Sequence, residues 1–292
     1  MNPMAPTGTS PTQTTWPASI ALEFERKGDK TQLTRSRHHG PLYIQKPFYP
    51  EGLDHPHAYI LHPPGGIVSG DCLQIGVKVG PDAGALITTP GAARIYRARD
   101  LQPRQRQQIF LEVAAGGVIE WFPLETIVYN KACVELDTTI DLAEDSHFFG
   151  WEISCFGLPA SGEYFTTGRF RQNYMLRYKG VPVFIDRFVL EGDDVKTLMG
   201  STAGLRGHPV SGFFLCGPFP LRSEDLVQVL RDRVTAMGLN PVASVTQVGH
   251  FCVGRYLGCS AEQAKSLFAQ WWTLSRPRLI KRKACAPRIW LT

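Results

Sequence analysis

The chain has 292 residues, 43% hydrophobic and 20% charged, enough apolar material for a sizeable core and incompatible with global disorder. Its 28 glycines and 22 prolines are spread along the length, which points to many short elements joined by turns and away from a helical bundle. The net charge of +5 comes from the C-terminal end, where Lys265, Arg276, Arg278, Lys281, Arg282, Lys283 and Arg288 follow Glu262 and no acidic residue does. Such a segment suits nucleic acid, an anionic surface, an acidic protein face, or plain solvation. The 7 cysteines form no C-x-x-C pair, which argues against a zinc ribbon, and an odd count argues against a disulfide framework; most are expected reduced and buried. No apolar run approaches the roughly 18 residues of a membrane span, and the N-terminus has neither a basic nor an apolar signal region, so a cytoplasmic location is expected.

Residues 1–19, rich in Pro, Thr and Ser, read as a disordered tail. Alternation from Ala21 to Arg26, a turn at Gly28-Asp29 and a second strand over Thr31 to Arg35 predict a hairpin. Leu73 to Val79 and Val134 to Leu142 alternate, Ala85 to Thr89, Gln107 to Val113 and Val118 to Phe122 read as short apolar strands, and Phe148 to Phe156, Arg169 to Tyr178 and Val183 to Leu190 complete the strand series. Ser223 caps a predicted helix with Leu226, Leu230, Val234 and Met237 as its apolar stripe and Gly238 as its stop. Val242 to Val248 and Phe251 to Leu257 form another strand pair. Ser260 and Gln263 make a capping box for a second helix that buries Ala264, Leu267, Phe268 and Trp271. The expected organisation is therefore one mainly β domain over 20–275 with two helices near its C-terminal end, followed by a basic segment over 276–292.

Searches for catalytic signatures return nothing. The stretch His62 to Asp71, HPPGGIVSGD, has the glycine spacing of a phosphate loop, but Asp71 stands where lysine is required, and a carboxylate repels phosphate. His55 and His57 fall on one side of an extended strand, an arrangement open to metal ligation or to simple turn histidines beside Pro56 and Pro63. With Asp71 they define one alternative, a metal-dependent hydrolase; the stretch Arg276 to Arg288 defines another, a nucleic-acid-binding module, although only Trp290 lies near its charges. Asp71, Glu120, Glu125, Glu152 and Glu163 sit beside glycine, proline or aromatic residues, where a carboxylate is partly buried. Each either pairs with an arginine such as Arg94, Arg97 or Arg187, or lines a polar path for a weakly held cation.

Five motifs in order sharpen this picture: GPLYIQKPFYPEG at 40–52, LHPPGGIVSGD at 61–71, TTPGAARIYR at 88–97, EWFPLETI at 120–127, and GWE at 150–152 with PASGE at 159–163. Together they resemble the urease accessory protein UreD family, called UreH in some organisms, from about residue 20 to the second helix. Arg94-Ile95-Tyr96 and Asp186-Arg187 depart from the usual pattern while preserving charge. The resemblance implies a non-enzymatic, chaperone-like role in a complex with UreF and the GTPase UreG that docks on apo-urease and delivers nickel. It implies an elongated, β-helix-like stack, no tightly bound cofactor, transient nickel(II), and no nucleic-acid or membrane partner. On it, Asp71, Glu152 and Glu163 are candidates for a nickel channel, with Glu125 behind them.

Overall fold

The computed structural model describes residues 15–99, 104–219, 224–240 and 242–291. The tail expected over 1–19 falls outside these up to residue 14, as does the cap expected at Ser223. The strands are β1 (Trp16–Lys27), β2 (Lys30–His39), β3 (Tyr43–Ile44), β4 (His57–Leu61), β5 (Asp71–Val79), β6 (Gly84–Thr88), β7 (Ala93–Ile95), β8 (Gln105–Val113) and β9 (Val118–Phe122). They continue as β10 (Thr126–Val128), β11 (Cys133–Leu142), β12 (His147–Leu158), β13 (Glu163–Tyr164), β14 (Arg169–Tyr178), β15 (Val181–Glu191), β16 (Val210–Gly217), β17 (Ala243–Val248) and β18 (Phe251–Gly258). Three α-helices accompany them: α1 (Val195–Gly200), α2 (Glu224–Ala236) and α3 (Ala261–Ile280).

The mainly β, β-helix-like architecture read from the sequence is the one observed. One sheet runs β15-β14-β11-β8-β5-β1-β2, the other β17-β18-β16-β12-β9-β6-β4-β3. From β5 to β12 the chain alternates between the sheets, and each new strand lies parallel to the one deposited a coil earlier: β5 to β8, β8 to β11, β6 to β9, β9 to β12. Inward positions therefore stack into rows. Leu22, Val77, Leu111, Ile140 and Leu176 occupy one such row, and all are buried. The period-two pattern of each strand thus becomes a continuous apolar ladder between the two sheets.

A second core lies on the other face of the β12-containing sheet. There α2 and α3 cover Phe122, Phe149, Trp151 and Phe214 with Leu230, Phe268, Trp271 and Trp272. Ser260 caps α3 as its sequence predicts, its hydroxyl accepting from the Gln263 N–H at 3.1 Å. The Trp271 ring rests on β18 at Gly254, where a Cβ would fall 2.1 Å from it. The result is three layers: sheet, sheet, helices.

Three expectations are corrected. Ordered chain begins before residue 20: Trp16 to Ser19 pair with Asp71 to Gln74 in β1·β5, and Ala18 is buried. A Pro/Ser-rich composition carries no sign of such long-range pairing. The helix α1 and the central strand β16 were not anticipated, the latter because Val210 to Gly217 is buried almost throughout and does not alternate. The basic segment expected from Arg276 begins inside α3, and Arg276 is wholly buried.

Candidate functional site

The residue that stands out is Glu152. Alternation along β12 sends Phe149, Trp151 and Ile153 to the helix layer and turns Glu152 toward the space between the sheets, opposite Phe213 of β16. There it reaches a cleft of about 520 Å³ lined also by Gln172, Asp186, Phe213 and Arg255. Asp186 is held by a two-pronged Arg255 contact at 2.7 and 3.0 Å. Among the described residues Glu152 has no such cation. Its Oε1 is sealed from solvent without a hydrogen-bond partner, as are the Trp121 indole N–H and the Tyr174 hydroxyl. Burial pushes the Glu152 carboxyl up to about 7, and the nearby Trp121 indole opposes this only in part. Burial, and then the Glu152 charge, raises the Tyr174 hydroxyl in turn.

A lone carboxylate in a low-dielectric site must be protonated, hydrated or facing a cation. One poised near neutrality exchanges its proton for a divalent ion at little cost, whereas a carboxylate locked to arginine does not. Oxygen donors of this kind suit a passing cation better than a tightly held transition metal.

The other expected residues are not gathered around Glu152. Asp71 opens β5 and closes the Val68–Asp71 turn, accepting from the Val68 N–H at 2.8 Å; it lines a separate cleft of about 480 Å³ with Trp16, His62 and Val68. Burial lowers the His62 imidazole against the opposing pull of Asp71. Glu125 is half-buried before β10, and its charge adds to the burial that pushes the Cys155 thiol up to about 12. Glu163 is exposed on β13, paired with the end of β12.

The histidines resolve differently from either sequence reading. His55 bonds to Glu120 at 2.9 Å and His57 to Glu51 at 2.8 Å, all beneath α3. Glu51, His55 and Glu120 converge closely enough to hold a metal ion, but the Arg276 guanidinium fills that space. It donates to Glu120 at 2.8 and 2.9 Å and to Glu51 at 2.7 and 2.9 Å, while the Trp272 indole donates to Glu120 at 2.7 Å. Burial pushes Glu51 up, but its bonds to His57 and Arg276 outweigh this and hold it at about 2. Arg282 adds contacts to Glu51 and Asp54. Asp71 is not part of this cluster, so the hydrolase set His55, His57, Asp71 is not assembled. Two of the arginines assigned to a nucleic-acid arm, Arg276 and Arg282, are engaged internally. Arg276 lies more than 150 residues from Glu120, and nothing local in the sequence announces their pairing.

Comparison with known proteins agrees with the motif order. The sequence profile described as "UreD urease accessory protein" matches residues 17–291. A "Urease accessory protein UreD" of Marinomonas sp. (strain MWYL1) is 43% identical over 284 residues, covering 95% of this chain and 90% of the relative. Those of Psychromonas ingrahamii and Dechloromonas aromatica are 41% and 39% identical, covering 95% of this chain and 94% and 95% of their own.

Proposed function

This chain belongs to the urease accessory protein UreD family, and from that premise we propose that it acts as a non-catalytic, nickel-delivering scaffold in the maturation of urease. It binds UreF and the GTPase UreG in the cytoplasm, docks on apo-urease, and supports GTP-dependent assembly of the nickel centre. Nickel(II) is cargo, passed on and not retained. The observation that carries this reading is Glu152, a part-buried carboxylate on the wall of a cleft, with one oxygen sealed from solvent and no cationic partner among the described residues. The absence of a phosphate-loop signature in the sequence fits a division of labour in which the partner hydrolyses GTP. Asp71, Glu125 and Glu163 remain candidates for steps outside the cleft.

Co-expression with UreF, UreG and apo-urease followed by affinity capture is expected to retain all three. Glu152→Gln is expected to lower the nickel content of urease, measured by elemental analysis, without releasing UreF. Failure of the wild-type chain to retain either UreF or apo-urease sinks the scaffold reading; unchanged nickel in the Glu152→Gln complex sinks the passage through the cleft.

A further inference from the structure

A thiol and an imidazole meet beside the same cleft. His208 ends the turn after α1, two residues beyond Arg206, which lines the cleft, and its N–H donates to Leu205 O at 2.8 Å. Cys259 stands between β18 and Ser260, the cap of α3, two residues beyond Leu257, which also lines the cleft. The β16·β18 ladder pairs Val210 with Gly258 and so brings the two side chains together. Cys259 Sγ lies 3.6 Å from His208 Nδ1; the cysteine is exposed and the histidine half-buried.

That separation matches a metal bite. With a metal–sulfur bond of about 2.3 Å, a metal–nitrogen bond of about 2.1 Å and a tetrahedral angle, the donor atoms stand about 3.6 Å apart; at a right angle they would stand about 3.1 Å apart. A proton shared between thiol and imidazole spans the gap in the free protein, so a cation replaces a proton with little movement of either side chain. A larger convergent group of ligand-type side chains among the described residues, Glu51, His55 and Glu120, already holds the Arg276 guanidinium. Cys155, in the same lateral row as Val210, packs against the helix layer and is raised to about 12, so it is no competing donor.

The geometry points to a capture site at the cleft rim: Cys259 and His208 hold one borderline divalent cation tetrahedrally, leaving two positions for water or a donor from a partner. This rests on the nickel-delivery reading only for the identity of the cargo. The Cys259 S–H gives its proton to solvent as the metal–sulfur bond forms, and nothing is oxidised or reduced. Glu152 lies two strands across and four strand positions along from Cys259, about 16 Å, since Phe213 faces both it and Arg255.

The test uses the full chain, reduced, titrated with cobalt(II) chloride and then challenged with nickel(II). The wild type should show a thiolate-to-cobalt charge-transfer band. Cys259→Ser should abolish the band, His208→Gln should weaken binding roughly tenfold or more, and Glu152→Gln should leave it intact. No band in the wild type, or an unchanged band in Cys259→Ser, overturns the capture site. If urease is still nickel-loaded in that case, the delivery reading stands without it. If the band behaves as expected while Glu152→Gln delivers nickel normally, the cleft passage fails and the capture site stands.

Discussion

Glu120 and Glu152 are carried by adjacent strands of one sheet, the first wholly buried and the second part-buried on a cleft wall, yet they face opposite layers and are treated oppositely. Glu120, under α3, is satisfied by His55, Trp272 and Arg276, and these bonds and charges hold it ionised against its own burial. Glu152, between the sheets, has an unpartnered oxygen and is pushed toward protonation. A paired buried charge specifies which surfaces come together, because removing either partner strands the other. An unpaired one costs stability and is retained where a proton or cation must come and go. The first region is a clasp fastening the C-terminal helix to the N-terminal coils; the second is the place to look for transport.

The largest expected effect comes from turning the first region into the second. Arg276→Met leaves Glu51 and Glu120 buried without their cation and should cost on the order of 3–5 kcal/mol in urea unfolding. Adding Glu120→Gln should recover part of that loss; no recovery would mean that the guanidinium's contacts with the Trp272 ring and the Lys283 carbonyl, not its pairing with Glu120, hold the clasp.

Removing the orphan should act in the reverse sense. Glu152 takes up its proton more readily folded, at about 7, than at the ordinary 4.5. Its cost is thus absent below 4.5, grows as pH rises, and is complete above about 7. Glu152→Gln should then raise stability by on the order of 3 kcal/mol in alkaline buffer and leave it unchanged in acid. Glu51 tilts the other way: held at about 2, its contribution is present above 4.5 and lost as pH falls toward about 2. Stability curves for the two single variants, Glu152→Gln and Arg276→Met, should therefore depart from wild type in opposite directions in neutral-to-alkaline buffer and approach it in acid.

Smaller effects sharpen the contrast. Trp272→Phe keeps the ring packing but deletes the donor to Glu120, and should cost about 1–2 kcal/mol. Ser260→Ala removes the cap of the helix that delivers Arg276 and should cost about 1 kcal/mol, read as a lower urea midpoint.

Much of the architecture was legible in the residues because it depends on local rules. The strand Arg169 to Tyr178 was found at its observed limits, since alternation reports a half-buried face directly, and Val118 to Phe122, buried almost throughout, was marked instead by its short apolar run after the Gly116-Gly117 turn. The Ser260 capping box was legible for the same reason: its partners are three residues apart. The strand Val210 to Gly217 was not, because a strand buried on both faces loses the alternation that marks it.

The candidate site divides along the same line. By itself the sequence determined the strand grammar, the family resemblance and the short roster of carboxylates that includes Glu152. The tertiary structure decided which carboxylates were left alone: it tied Glu120 and Glu51 to an arginine from the distant C-terminal helix, set Asp71 on another cleft, and left Glu152 unpaired between the sheets. The physical reason is range. Hydrogen-bond spacing and side-chain alternation are written over a few residues, whereas the partner of a buried charge is chosen by whichever distant segment the coils and helices bring against it.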